Sequence, residues 1–377
     1  MKVILIGPSP RAQGGIAALM ATYLRSDLAR ECTLLPVFTR LEGSVWIKLG
    51  MLVQALFRFL WLSLFYLPQI AHIHFCSNVS FYRKSIFVLA AKVFSQKIVF
   101  HGHGGSFLKF YQQSHWFSKK YIQKILTGVD QIVVGSENAR TVMEQISGRN
   151  NVRIVSNSIA DERIIGLTHN KKALQEKDNF NLLFLGRIER PKGVYELIGT
   201  AVILKEKISG VKIILGGEGE IKNARKFCCE KGVEDTVQFY GWVQGEDKIG
   251  LFKQATCFVL PSYRELQSVS VLEALAAGLP IVATDISGIN EMVEDGANGF
   301  LVPVGNSRQL AEKIFLLLKD ENLRQQMCEN NLRKFKEKFD MKFVIRDLLQ
   351  IYQNMLLDSK KYHTVQSRVS TFFTNLR

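Results

Sequence analysis

The sequence predicts an α/β protein of two doubly wound domains in tandem, and three observations carry that expectation. The chain has 377 residues, too many for one ordinary core and enough for two domains of about 150 to 200 residues each. An apolar strand, a glycine-bearing loop and a helical stretch follow one another at the start (Lys2 to Ile6, PSPRAQGG, then from Ile16). The same series restarts at NLLFLGRIERPKG from Asn181. After each start, short continuous apolar runs alternate with helical periodicity, the pattern of parallel strands covered on both faces.

In order, the first domain offers strands at Lys2 to Ile6, Ala71 to Phe75, Lys97 to His101 and Gln131 to Val134. Polar residues thicken from Leu167 to Asn179 and read as a linker. Beyond it, Val211 to Leu215, Val237 to Tyr240, Cys257 to Leu260 and Ile281 to Thr284 are the strands of a second domain. The expected division is 1–170, 171–340, and a last helix from about Met341 to Leu357 that crosses back onto the first domain. A basic tail from Ser359 has no core pattern and is expected to be loosely held. Two such units are expected to face a cleft.

Composition narrows the class. Hydrophobic residues make up 47% and charged residues 22%, near the averages of globular proteins, which excludes disordered and fibrous chains. The start MKVILIG meets Pro8 and Pro10 too soon for a signal-peptide core. Six cysteines, none in a CxxC pair, indicate neither a disulfide framework nor a zinc site and fit reducing cytosol.

Charge is uneven: residues 1–170 carry 19 Lys and Arg against 8 Asp and Glu, and no carboxylate stands between Glu42 and Asp130, where ten Lys or Arg do. An anionic partner is expected, either a bilayer surface or a pyrophosphate-bearing acceptor. Nucleic acid is disfavoured, since no zinc spacing, RNP motif or repeat accompanies the charge. The 22 residues Trp46 to Leu67 are long enough to span a bilayer, but Lys48 and Arg58 interrupt them. Three readings stay open, a span, a buried helix and a membrane-docking helix, and the basic surroundings favour docking over spanning.

The chemistry concentrates in Val259 to Pro303, VLPSYRELQSVSVLEALAAGLPIVATDISGINEMVEDGANGFLVP. This run resembles the donor site of family 4 retaining glycosyltransferases of the GT-B fold, in which two Rossmann-like domains face a cleft. The resemblance implies that Glu273 binds ribose hydroxyls and Glu265 the hydroxyls of the transferred sugar. A carboxylate can accept two charge-assisted bonds from vicinal hydroxyls. A helix entered through Ser268 to Val271, with Val269 in its first turn, would aim its positive end at a diphosphate. Leu266 and Gln267 depart from the Gly-Phe or Gly-Leu of many relatives, so the backbone approach to the sugar differs there.

In GRIERPKG, Gly186 ends a strand and Arg187 and Lys192 follow; in the family the matching pair grips the diphosphate and stabilises the leaving group. No Asp-x-Asp occurs, so no metal is expected, and activity in EDTA is. The run KIVFHGHGGSF matches the family's strand-end HG, which puts His103 beside the transferred sugar, with His101 two residues earlier on the same side. Gly14 and Gly15 in the first loop let the main chain approach the donor closely. The absence of GxGxxG counts against a dinucleotide-dependent oxidoreductase.

Lesser candidates are the GGEG loop (Gly216 to Gly219, with Gly217 in the donor set), Glu246 and Glu291. His72 to His74 (HIH) shows no third ligand and reads as strand packing.

Together these features lead to the expectation of a metal-independent hexosyltransferase without cofactor, its nucleotide-sugar substrate UDP-linked in preference to GDP-linked. It would act in cell-surface polysaccharide biosynthesis at the cytoplasmic membrane face on a saccharide, lipid-linked by preference. The family implies front-face attack with retention, with domain closure joining donor and acceptor. An epimerase or phosphorylase of the same fold and a catalytically silent scaffold are the competing readings.

Overall fold

The computed structural model describes residues 1–12, 14–40, 45–103, 105–159, 161–168 and 180–374, with side chains to residue 357. In chain order the elements begin β1 (Lys2–Gly7), α1 (Gly15–Arg25), α2 (Leu28–Glu31), β2 (Thr33–Phe38) and α3 (Val45–Phe65). Then come β3 (Ile70–Phe75), α4 (Val79–Val93), β4 (Lys97–Gly102), α5 (Phe107–Gln113), α6 (Trp116–Thr127), β5 (Gln131–Val134), α7 (Glu137–Ser147) and β6 (Arg153–Ile154). The second series opens with β7 (Phe180–Leu185), α8 (Val194–Lys207), β8 (Val211–Gly216), α9 (Ile221–Lys231), β9 (Val237–Gly241) and α10 (Gly245–Gln254). It closes with β10 (Cys257–Leu260), α11 (Val269–Ala277), β11 (Ile281–Thr284), α12 (Ser287–Asn290), β12 (Gly299–Val302), α13 (Ser307–Lys319), α14 (Glu321–Lys338) and α15 (Met341–Thr374).

These elements form two compact units, Met1–Ser156 with Met341–Arg377, and Asn157–Asp340. Each holds one six-stranded sheet of parallel strands, ordered β2-β1-β3-β4-β5-β6 and β12-β11-β10-β7-β8-β9. The expected pair of Rossmann-like domains is therefore present. Each order reverses once, between β1 and β3 and between β7 and β10, which sets a ligand crevice at the carboxyl ends of those strands.

The units divide at Ser156, not at the expected residue 170. Residues 157–168 are tied to α11: the Gly166 and Thr168 N–H groups donate to the Ala276 and Ala277 carbonyls (2.8 and 3.1 Å). The polar run expected as linker lies from residue 169 to 179 outside the described residues.

In the first unit Leu348, Ile351 and Tyr352 of α15 pack with Val3, Leu5, Tyr23 and Val99, so this helix belongs to that core. The backbone of α15 stays helical to Thr374, past the expected end at Leu357.

Three strands go beyond the sequence expectation, β2, β6 and β12: Pro36 interrupts TLLPVF, β6 is only two residues long, and Gly299 opens a four-residue run. All three stand at sheet edges, where a proline is tolerated.

The segment Trp46–Leu67 is not a core helix. Only Ala55, Phe59, Leu62 and Ser63 of α3 are buried, a narrow stripe at helical spacing, while Trp46 is 81% and Phe57 74% exposed. By length and composition this helix is long and apolar enough to cross a membrane.

Candidate active site

In the second unit the loops after β7 and β10 lie side by side at the reversal of strand order. Gly193 caps α8 with φ 70°, and a Cβ there would collide with the Pro261 carbonyl. The Tyr263 N–H donates to the Pro191 carbonyl (3.0 Å). Gly217 brings the loop after β8 against the first of these: a Cβ on it would overlap the Gly186 carbonyl oxygen. Only glycine fits at those two contacts, so Gly186, Gly217, Arg187 and Lys192 share one rim.

Onto this rim the β10–α11 loop delivers Glu265. Its Oε1 accepts from Lys192 Nζ (2.6 Å) and from the Ser262 hydroxyl (2.9 Å). Behind it, Gly288 of α12 sits so close to the Glu265 carbonyl that a side chain would not fit.

Glu273 is the fifth residue of α11, one turn in from its start. It is 4% exposed and accepts from Lys248 Nζ of α10 at 2.6 Å. Ser268 is the N-cap of α11 yet caps nothing with its side chain, its hydroxyl bonding instead to that of Ser270 (3.1 Å). The first-turn N–H groups, Val269 included, thus have no side-chain cap and suit an anion.

Arg187 is exposed and bonds Glu189 (Nε to Oε2, 3.2 Å). Gln267, where the pattern departs, is buried and accepts from the Asn157 N–H at 2.6 Å, a packing role. Glu246 pairs with Arg163 at the surface. Glu291 follows α12, whose Gly288 backs Glu265.

Gly14, Gly15 and His103 belong to the first unit. Gly14 precedes α1 with open space where a side chain would be, and Gly15 is its first residue. His103 is buried in a quartet. His72 and His74 on β3, His101 on β4 and His103 just past its end share one face of the sheet, His74 lying directly beside His101.

The rings stack at 4.3 to 5.3 Å between centroids. His74 Nδ1 bonds His103 Nε2 (2.8 Å), His72 Nε2 bonds His101 Nδ1 (3.1 Å), and the Tyr352 hydroxyl closes the row on His72 Nδ1 (2.5 Å). Burial lowers all four; His72 and His103 fall to about 3. His103 is therefore a neutral hydrogen-bonding group at physiological pH. The third ligand that HIH lacked exists after all: His72, His74 and His101 each bring a ligand atom within 4.8 Å of the others. Their near-parallel rings leave the nitrogen lone pairs side by side, not convergent, so the row is built for stacking.

Residues 167–334 match the family model described as glycosyl transferases group 1. That match lies almost wholly within the second unit. The capsular polysaccharide biosynthesis glycosyltransferase CapM of Staphylococcus aureus is 30% identical to the chain over 211 residues, 54% of this chain and 55% of that protein. The N,N'-diacetylbacillosaminyl-diphospho-undecaprenol alpha-1,3-N-acetylgalactosaminyltransferase of Campylobacter jejuni is 33% identical over 175 residues, 46% and 45% of the two chains. The chain spans about half the length of each of these relatives.

The solved structure of Anabaena Alr3699/HepE in complex with UDP-glucose superposes with a TM-score of 0.74 at 18% identity, covering 94% of this chain and 100% of the other. That likeness gives the fold, the GT-B type. In the second unit sequence reasoning missed Lys248, Ser262, Gly193 and Gly288. Lys248 stands 25 residues from its partner, and no local pattern announces such a pair.

Proposed function

We propose that the protein is a retaining hexosyltransferase that takes a sugar from UDP or GDP and gives it to a lipid-linked saccharide in cell-surface polysaccharide biosynthesis. The observation that carries this reading is the pair of lysine–carboxylate contacts flanking one uncapped helix. Lys192–Glu265 and Lys248–Glu273 are both at 2.6 Å, on either side of the α11 N-terminus.

Each pair can exchange a partner for a ligand. Glu273, held by Lys248, offers its other oxygen to vicinal ribose hydroxyls. Glu265, oriented by Ser262, receives hydroxyls of the transferred sugar. Lys192 and Arg187 with the α11 amides meet the diphosphate and take up charge as the sugar–phosphate bond breaks. These cations do the work a divalent ion would otherwise do, so no metal is required. His103, neutral, contributes a hydrogen bond beside the sugar without adding charge. The departing phosphate oxygen accepts the acceptor's proton, and the anomeric configuration is kept.

The Campylobacter relative is named for a diphospho-undecaprenol acceptor and CapM for capsular polysaccharide, which supports a lipid-linked saccharide. The exposed apolar face of α3 supports a seat at the cytoplasmic face of the membrane.

The test is incubation of UDP- and GDP-sugars with a lipid-diphosphate saccharide in EDTA, with the product linkage read by NMR. An α-linked product from an α-linked donor is expected. An inverted linkage, dependence on added Mg2+, or an epimerised sugar formed without acceptor would overturn the respective parts.

A further inference from the structure

The first sheet also reverses its order, between β1 and β3, and three cations meet at the carboxyl ends of the strands there. Lys84, in the second turn of α4, is 2% exposed, and its Nζ donates to the Thr39 hydroxyl after β2 (2.5 Å). That hydroxyl donates in turn to the Gly7 carbonyl at the end of β1 (3.1 Å). Arg83 comes next to it, its Nε buried and without a hydrogen-bond partner. Arg40 stands just beyond β2, its carbonyl accepting from Ser9 N–H in the loop after β1 (3.1 Å), and its guanidinium is near enough to repel that of Arg83.

Among the described residues no carboxylate pairs with Arg83 or Lys84. The Cys76 thiol beside them gives no countercharge, since burial pushes it up to about 11. This is the structural consequence of the stretch without Asp or Glu between Glu42 and Asp130. Buried cations that lack a partner are costly, and a multiply charged anion removes that cost.

The same place opens onto an apolar surface. Val79, Tyr82, Ile86, Leu89 and Val93 are exposed along α4 at spacings of three and four, which is one continuous helix face. α3 lies beside it, its Phe59 packed edge-on against Phe87 and Phe94 (5.7 and 6.3 Å between centroids), and carries the outward residues described above. A phosphate alone would leave both apolar faces in water. A lipid would not.

We propose that Arg83, Lys84 and Arg40 form a binding site for the diphosphate of a membrane lipid, whose hydrocarbon chain runs along the outer face of α4 beside α3. This rests on the reading of the protein as a transferase to lipid-linked saccharides and assigns the residues that hold such an acceptor. Two guanidinium forks can each chelate phosphate oxygens, and the ammonium behind them reinforces the field from a low-dielectric position. Three cations select two or more negative charges over the single charge of an ordinary phospholipid headgroup.

The experiment is flotation of the full chain with phosphatidylcholine vesicles carrying a prenyl diphosphate, a prenyl monophosphate or phosphatidylglycerol at matched surface charge. Diphosphate vesicles are expected to bind at least about tenfold more tightly than phosphatidylglycerol. Arg83→Gln and Lys84→Met are expected to abolish that preference, and inorganic pyrophosphate to compete and to raise the melting temperature of the wild type alone. Arg83 is half-buried, so Arg83→Gln decides the matter if Lys84→Met does not fold, with UDP-induced stabilisation as the folding control.

Equal binding to all three vesicles without competition by pyrophosphate overturns the site and leaves the transferase reading intact. So does an Arg83→Gln enzyme whose KM for a lipid-diphosphate acceptor is unchanged. Arg83-dependent binding of pyrophosphate by a protein that glycosylates no acceptor supports the site and sinks the transferase reading instead.

Discussion

The two units share a fold and handle charge in opposite ways. In the second unit the buried or half-buried carboxylates at the site have lysine partners, Glu265 with Lys192 and Glu273 with Lys248. In the first unit the buried basic groups have, among the described residues, no acid to answer them: four stacked histidines, Lys84 and the Arg83 Nε. Exposed apolar surface follows the same division. Of 24 large exposed apolar side chains among the described residues, 19 belong to the first unit and 14 of those lie on α3 or α4. A closed set of ion pairs suits a polar ligand that enters and leaves. Open charge beside apolar surface suits a partner that is anionic and greasy at once.

Acid should separate the units most strongly. The folded first unit keeps His72, His74, His101 and His103 neutral by burial, with His72 and His103 at about 3. An unfolded chain protonates each of them near about 6.5. The unfolded state therefore binds more protons as pH falls from 6.5 toward 3, and stability is lost over that window. At pH 5 the loss is about 2 kcal/mol for each histidine that stays neutral. Hydrogen exchange, corrected for intrinsic rate, should show β3 and β4 losing protection between pH 7 and pH 5 while β7 and β8 hold. Equal loss in both sheets would break the contrast.

Cutting a partner out of the second unit comes next. Glu273→Gln leaves Lys248 without its acid and removes the charge from the bonds to ribose, so donor affinity should fall about a hundredfold or more. Nucleotide titration by calorimetry measures it; a fall below threefold would mean that Glu273 only holds Lys248. Gly217→Ala should act through geometry alone, because its Cβ collides with the Gly186 carbonyl and φ is 152°. About 1 to 3 kcal/mol of stability should go, seen as a lower melting temperature of the second unit without change in the first.

Much of this contrast is legible in the amino-acid sequence, and the part that is not has a common cause. Strands buried on both faces are continuous apolar runs, so Gln131–Val134, Cys257–Leu260 and Ile281–Thr284 were legible to the residue. β2, β6 and β12 were not, since these edge strands are short or broken by proline and carry weaker apolar signals. Glu265, Glu273, Arg187 and Lys192 could be picked out from a motif that is local in sequence. Lys248 with Glu273, His101 with HIH, Tyr352 with His72 and Thr39 with Lys84 are meetings across 25 to 280 residues, made by sheet register and helix packing. Periodicity gave α3 as a helix but not its partner, because apolar residues almost all round a helix fit a core and a bilayer equally.

The smallest expected effect tests that last ambiguity on two neighbouring residues. Phe59 is fully buried against Phe87 and Phe94, whereas Phe57, two positions earlier, is 74% exposed. Truncating a buried phenylalanine to alanine leaves a cavity and costs about 3 to 5 kcal/mol. Truncating an exposed one changes stability by no more than about 0.5 kcal/mol. Phe57→Ala should therefore melt like the wild type while its binding to anionic vesicles weakens about tenfold or more, since burying the ring in lipid is worth about 1.5 to 3 kcal/mol. If Phe57→Ala destabilised the protein as Phe59→Ala does, α3 would be covered by protein in solution and its outer face would not be free for a membrane.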